Sequence, residues 1–529
     1  MGKDEQAAEK NARGKFNLYS EWANQRASLL TWPCSQSELF PYYVCEVPIN
    51  FALEKIYQGV TCKLCAIRSI RLDRAVDGFA MMLAKENEET SHIAIIGSGI
   101  FGLSAALELR LRGYRVTLFD RQTIPVQDDM LVAASTDISK IVRPDHSNDI
   151  FYQNLAIAAI IRWKDWSERC CRQTGKEIFV QSGAVFLSSN SPLCENSFEA
   201  DSVEALRKAG YGNEVEVFSD GGVAEKYQGY NDVTRSFPGG YLSKMAGYVD
   251  ASLAVEYVAE LAKAAGVQFV TEDAGTVEAI ITRDSIESCS VMGLRTSDQT
   301  FHPCSHLLVA AGPRSIALLP GLKKVMVATG QPVIYLSVPE HLQLKYNAKN
   351  FPVWAAEVPR TGFYGFPLKD GVLKVANHGP GYTFGEGTAM QSTLDMGIPK
   401  EAVSGFRYFF AQSFPELNSF DVLRTRLCWY TDTFDSDFFI TPYPGHEGLF
   451  LATGGSGHAF KFFPVLGPII ADVVEGKTEF DSRYPDAIQR FKWREPTEGR
   501  GFDSHPRLSG SQKLEDCPLA DAEDLKAIP

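Results

Sequence analysis

Residues 92–120, HIAIIGSGIFGLSAALELRLRGYRVTLFD, decide the fold. HIAII has the apolar run of a buried strand, GSGIFG is a glycine turn, LSAALELRLRG reads as a helix closed by Gly113, and YRVTLFD reads as a second strand. Strand, tight turn, helix and strand make a βαβ unit. Gly97 allows the sharp turn, Gly99 lets the backbone approach a pyrophosphate, and Gly102 permits close contact between helix and strand. The helix start offers unpaired N–H groups and a positive dipole end to phosphate oxygens. Asp120 ends the second strand, 23 residues beyond Gly97, where a carboxylate can accept hydrogen bonds from both ribose hydroxyls. The turn therefore predicts a bound dinucleotide. NAD and FAD domains share this pattern, so the choice between them comes from elsewhere.

Outward from this unit, the chain has 529 residues, 52 Lys and Arg against 65 Asp and Glu, and a formal charge of −13. An apolar content of 45% with 22% charged residues supplies a filled core and argues against global disorder. The acidic balance, without basic clusters, opposes nucleic acid and anionic lipid as partners. Eleven cysteines in no repeating frame fit a reduced compartment, and the single C-x-x-C, Cys62 to Cys65, lacks a second ligand pair, so no metal is assigned. The N-terminal residues carry no apolar core of a secretion signal, and Gln6 stands where acylation favours Ser or Thr. The most apolar stretch, 92–111, contains three glycines, Glu108 and Arg110, so no membrane span is expected. A cytoplasmic location follows; a peroxisome is conceivable, although the last residues are not a peroxisomal tripeptide.

Residues 1–88 show no sustained periodicity and are expected to form a weakly structured extension, with a second start conceivable at Met81 or Met82. Downstream, IFYQNLAIAAIIRWKDWSERCC reads as an amphipathic helix, QSGAVFLSS as hairpin-like, SLAVEYVAELAKAAG as a helix and HLLVAAG as a buried strand. QPVIYLSV, FYGFP and VLKVANH look β-rich, and LGPIIADVVEG reads as a last helix. From 477 to 529 the composition is polar and rich in Pro, Gly and Asp, which predicts a flexible tail.

Five further segments carry a family resemblance: AASTDISKIVR (133–143), HLLVAAGPRS (306–315), YGFP with LKVANH (364–378), RLCWYTDTFDSDFFI (426–440) and ATGGSGHAFKFFPVLG (452–467). Together, over about 91–475, they resemble the amine-oxidising flavoproteins of the D-amino-acid oxidase superfamily, in the branch of monomeric sarcosine oxidase and the fungal fructosyl-amino-acid oxidases (amadoriases). The resemblance implies FAD. Cys428 matches the cysteine that attaches the flavin through a thioether, which implies a covalent cofactor. Arg143 and Lys461 match the two cations that hold a substrate carboxylate, a bidentate fork and a point charge. Lys374 matches the lysine that promotes reaction with dioxygen, and Lys140 stands where sarcosine oxidases carry Arg and fructosyl-amino-acid oxidases carry Lys. His378 and Tyr364 match residues on the substrate side of the ring. The cofactor set implied is Gly97, Gly99, Ile100, Phe101, Gly102, Asp120, Arg121, Ser135, Lys140, Ala311, Gly312, Cys428, Gly455, Gly457, His458, Phe460 and Lys461; the catalytic set is Lys374, Lys140 and His378.

The expected fold class is mixed α/β. A Rossmann-type FAD-binding domain (91–142, 236–330, 425–476) is interleaved with a mostly antiparallel sheet domain for the substrate (143–235, 331–424). The expected reaction is oxidation of a secondary amine bearing a carboxylate to an imine, with dioxygen reduced to hydrogen peroxide, in a monomer. Lys140 favours a fructosyl amino acid. Sarcosine, pipecolate, saccharopine or an N-methyl amino acid of a secondary-metabolite pathway are the alternatives. From other classes, a catalytically silent flavin-binding scaffold would have no physical need for cations inside apolar strands, and an NAD-dependent dehydrogenase would give Cys428 no role.

Overall fold

The computed structural model describes residues 91–125, 133–284, 289–385 and 397–528. The extension 1–88 and the second start at Met81 or Met82 lie outside them.

The βαβ unit forms as its pattern requires. Strands His92–Ile96 and Arg115–Phe119 lie parallel, Ile93 opposite Val116, with the helix Ile100–Leu111 between them in the chain. His306–Val309 flanks the first strand on its other side, and Leu449–Thr453 continues the parallel array. Gln268–Val270 closes one edge and the antiparallel Phe439–Pro442 the other, giving six strands. Alternation decides what each face covers. Ile93 and Ile95 pack with the helices Ile100–Leu111, Ala251–Ala264 and Phe463–Val474, whereas Ala94 and Ile96 join the core that continues into the substrate half.

The second large sheet has ten strands and is mostly antiparallel; its parallel pairs are Ala184–Ser188 with Val353–Ala356, and Tyr382–Thr383 with Gln512–Lys513. Its spine is Met326–Ser337, paired with Val372–Asn377 on one side and along almost its whole length with Val422–Thr433 on the other.

Four expectations need correction. Val422–Thr433, which carries Cys428, belongs to this substrate sheet, so the cofactor half resumes only after it. Gly239–Ser243, assigned by spacing to the cofactor half, also pairs into the substrate sheet. QSGAVFLSS is no hairpin: Phe179–Val180 pairs with Gly247–Val249 and Ala184–Ser188 with Gly239–Ser243, because Gly183, at φ +76°, turns the chain from one sheet into another. The tail is not a free one. Phe491, Leu508 and Leu514 are buried, and Arg490, Arg494 and Arg507 pair with Asp149, Asp435 and Asp432. Polar composition concealed a few apolar anchors and three arginines whose carboxylates lie far away in sequence.

Candidate functional site

One cavity of about 1110 Å³ runs from the glycine turn to the substrate sheet. Volumes of roughly 300–1,000 Å³ serve single small ligands, so this one has room for more than a small amine.

At the turn, Gly97 sits at φ +102°, and a Cβ there would lie 2.5 Å from the Ala310 carbonyl oxygen; a Cβ on Gly102 would lie 1.8 Å from the Gly97 oxygen. Any side chain at either position would force the strand, turn and helix apart. The helix begins after Gly99 without a side-chain cap, leaving donors at its N-terminus for a phosphate. Asp120 shapes the turn directly: Oδ2 accepts from the Ser98 backbone N–H at 2.6 Å and from its hydroxyl at 2.8 Å, while Oδ1 accepts from the Gln122 N–H at 2.9 Å. Ser135 Oγ accepts from the Ile100 N–H. Glycine cradle, helix start and acidic strand end fit a dinucleotide.

At the other end stand Arg143 and Lys461. The strand Lys140–Val142 delivers Arg143, whose guanidinium lies 5.3 Å from the Phe198 ring centre and 5.9 Å from that of Phe186. Lys461 is 4% exposed and sits in the turn Phe460–Phe462. Trp163 fixes that turn from the helix Ile150–Thr174: its indole donates to the Lys461 carbonyl at 2.7 Å and stacks on Phe460. Among the described residues neither cation has a carboxylate within ion-pair distance. Arg143 Nη1 is a buried donor with no acceptor, and Lys461 Nζ donates to the His458 carbonyl at 2.7 Å. Burial first, and Arg143 second, hold the Lys461 pKa well below the usual ammonium value. The buried Asp145 carboxylate acts on Arg143 electrostatically without an ion-pair contact, so the guanidinium and Lys461 both keep donors facing one cavity and form an anion site.

Every sequence-identified residue except Gly102, Lys374 and Cys428 lines this cavity. Gly102 does its work in the helix–strand contact. Lys374 is buried behind the wall, its ammonium 2.6 Å from Asp137 Oδ2 and 2.6 Å from the Ser139 carbonyl oxygen. Burial brings its pKa down to about 7, even with Asp137 alongside. Cys428 is fully buried, but it shares a face of its strand with the cavity-lining Tyr430, two residues on. Lys140 connects the two: its ammonium lies 3.1 Å from Asp137 Oδ2 and 3.7 Å from Cys428 Sγ. Burial opposes the Lys140 charge, yet Cys428 and Asp137 outweigh it and raise its pKa.

The hub that sequence reasoning missed is Asp137. Its carboxylate also accepts from the Tyr335 hydroxyl at 2.8 Å and its own neighbour Ile138 N–H at 2.8 Å. Burial alone would raise its pKa, but Lys374, Lys140 and Arg426 hold it well below the usual carboxylate range. It stands inside STDISKIVR, although nothing in that string says which distant cations it meets. Arg507 was missed for the same reason; it reaches the cavity from the tail, paired with Asp432 and donating to the Gly379 carbonyl at 3.2 Å.

Two histidines complete the wall. Burial first, then neighbouring cations, push both His378 and His458 well below the usual imidazole pKa, so both are neutral. His458 Nε2 donates to the Ser436 carbonyl at 2.9 Å, which fixes its tautomer and leaves Nδ1 a buried acceptor without a partner. Gly457 keeps His378 and Tyr430 close, since a Cβ there would lie 2.4 Å from the Tyr430 ring. Among the described residues no group of three or more His, Cys, Asp or Glu could hold a metal ion, and no helix is long and apolar enough to cross a membrane.

Comparison with known proteins agrees with this geometry. L-saccharopine oxidase of Schizosaccharomyces pombe is 28% identical over 426 residues, covering 76% of this chain and 95% of that protein. Monomeric sarcosine oxidase of Bacillus sp. is 26% identical over 398 residues, 74% and 93% of the two chains. Among solved structures, the deglycating enzyme fructosamine oxidase (Amadoriase II) of Aspergillus fumigatus shares the fold with a TM-score of 0.65 at 23% identity, covering 83% of this chain and 99% of that one. Residues 92–473 match the model of the FAD dependent oxidoreductase family, and the chain belongs to that family.

Proposed function

We propose that the chain is an oxidase of N-substituted amino acids: a secondary amine bearing a carboxylate is oxidised to an imine, water hydrolyses the imine, and dioxygen leaves as hydrogen peroxide. The observation that carries this reading is the Arg143–Lys461 pair, two buried cations on one cavity with no carboxylate in ion-pair contact among the described residues. The glycine turn, Asp120 and the 455–461 segment would hold FAD, which would supply the redox chemistry that links the C–H bond to dioxygen.

The protein's own groups do the rest. Arg143 and Lys461 fix the carboxylate at two points, which orients the adjacent C–H bond. Neutral His378 and Tyr364 would border the amine without adding charge to it. Lys374 and Lys140 share the single Asp137 carboxylate behind the cavity wall, and the positive charge left over there would favour reduction of dioxygen. Cys428 would hold the flavin through a thioether, and the Lys140 ammonium lies 3.7 Å from its sulfur. Lys140 led the sequence reading toward a fructosyl amino acid, and that sugar-bearing amine is one member of the class. The partners of Lys140 in the fold are Asp137 and Cys428.

Hydrogen peroxide release measured on N-substituted amino acids and their carboxamide counterparts tests the reading. Oxidation of the acids with marked loss for the amides is expected. Equal rates for both, or no oxidation of any acid, would overturn it.

A further inference from the structure

The strand Val422–Thr433 runs into a short loop, and three consecutive residues of that loop are each held by a different side chain of the C-terminal segment. Arg494 takes both carboxylate oxygens of Asp435, Nε at 2.6 Å and Nη2 at 2.7 Å, and Arg490 Nε donates to Asp437 Oδ1 at 2.8 Å. Between them, Ser436 Oγ lies 3.0 Å from His505 Nε2. The middle residue needs such holding, because Ser436 sits at φ +67°, a left-handed backbone that a side chain disfavours.

The direction of the Ser436–His505 bond follows from the backbone around the imidazole. His505 stands between the helical turns Phe502–Ser504 and Leu508–Gly510 and is 8% exposed. The N–H groups of Arg507 and Leu508, at the start of the second turn, both donate to His505 Nδ1 at 3.2 Å. Nδ1 is thus an acceptor, the ring proton is on Nε2, and Nε2 donates to the serine hydroxyl. Burial first, and Arg507 second, lower the His505 pKa and keep the ring neutral.

On its other side Ser436 carries the hydrogen bonds onward to the anion site. Its carbonyl accepts from His458 Nε2 at 2.9 Å, and the His458 carbonyl in turn accepts from Lys461 Nζ at 2.7 Å. The His458 ring is wedged between Phe438 and Tyr152, with ring centres 4.8 and 4.9 Å away, so its position follows that of the Ser436 carbonyl. An ammonium has three hydrogens; one is spent on the His458 carbonyl, and that bond sets the direction of the other two.

We propose that His505 is a positioning residue for the anion site: by holding Ser436 it fixes His458, and through His458 it aims the Lys461 ammonium at the substrate carboxylate. This rests on the reading of Lys461 as a holder of that carboxylate. The C-terminal segment then contributes to substrate affinity as well as to the stability of the fold.

The test uses the flavin-loaded full chain, an N-methyl amino acid and its carboxamide. His505→Ala should lower the preference for the acid over the amide about fivefold, the effect of one misdirected charged hydrogen bond, and should do so through KM, with kcat changed less. Propanoate, a carboxylate with no amine to oxidise, reports the same site without turnover: its Kd, read from the visible flavin band, should rise by the same factor. His505→Gln, whose amide can still donate to the serine hydroxyl, should restore both values. Ser436→Gly removes the hydroxyl while suiting the left-handed backbone, so it should fold and should match His505→Ala. In a Lys461→Met background, where nothing is left to aim, His505→Ala should have no further effect on the preference. An unchanged preference and an unchanged propanoate Kd in Ser436→Gly or His505→Ala overturn the proposal, as does a loss that persists in full in the Lys461→Met background. A wild-type protein that does not prefer the acid at all overturns the reading of the carboxylate site itself.

Discussion

Lys374 and Asp137 form an ion pair, the ammonium 2.6 Å from Oδ2, in which neither side chain reaches solvent. Asp137 also neutralises Lys140 and is felt by Arg426, so it is the one carboxylate offsetting several cations behind the cavity wall. Asp137→Asn should cost about 3–5 kcal/mol of folding stability, because it leaves buried positive charge uncompensated. Lys374→Met should cost less, since Lys140 still pairs with the carboxylate. Denaturant unfolding of the two variants measures the difference, and equal losses would refute the hub role of Asp137.

Arg143→Met and Lys461→Met should each raise KM for the amine about 10- to 100-fold, the worth of one charged hydrogen bond, while flavin content stays unchanged. Lys461→Met should also raise the melting temperature of the substrate-free protein, because burial and the nearby Arg143 both disfavour its charge. A fall in both activity and thermal stability would contradict the anion-site reading.

Acid precipitation checks the thioether. The wild-type pellet should be yellow and the Cys428→Ser pellet colourless, with the flavin in the supernatant. Yellow supernatant from both proteins would remove Cys428 from flavin attachment.

Glu199 predicts a pH dependence of stability. Burial raises its folded pKa to about 7 from an ordinary value of 4.5. Between these values the unfolded chain has released a proton that the folded chain still holds, so stability falls as pH rises through the window 4.5–7. Above about pH 7 the full penalty applies, on the order of 3 kcal/mol. Glu199→Gln should therefore be more stable than wild type above pH 7, and the gap should close as pH is lowered toward 4.5. Parallel melting curves across that range would show the effect to be absent.

Arg507 pairs with Asp432, a carboxylate with no solvent exposure, and the segment around it lines the cavity. Arg507→Met should destabilise the protein by about 3 kcal/mol or more, because it strands that carboxylate. Truncation after residue 476 should abolish stable flavin retention. A truncated protein that unfolds like the full chain would show the tail to be dispensable.

The legible parts of this molecule were those whose chemistry is local. The glycine turn, its helix and Asp120 lie within 30 residues, and their spacing is dictated by backbone geometry. Arg143 and Lys461 stood out as charges inside apolar runs, which is unusual enough to signal burial. Asp137 stood in plain view and went unread, because an acidic residue acquires meaning only from the cations that the fold brings to it. Glu199 lies in the helix Phe198–Lys208 and Arg360 in the helical turn Val358–Thr361, and nothing local to either segment says that both line one cavity. The tail misled through composition: Phe491, Leu508 and Leu514 are too sparse to form a pattern, yet each finds a place in the core.

The central sheet joins a strand that starts at His92 to one that ends at Thr453, with His306–Val309 lying between them. During synthesis the cofactor cradle cannot close until the ribosome has delivered nearly all of the described chain, and until then apolar edges such as Ile93–Ile96 stand without a neighbour on one side. Newly made molecules consequently depend on rapid completion or on chaperone shelter, and neither half can be harvested by itself as an autonomous module.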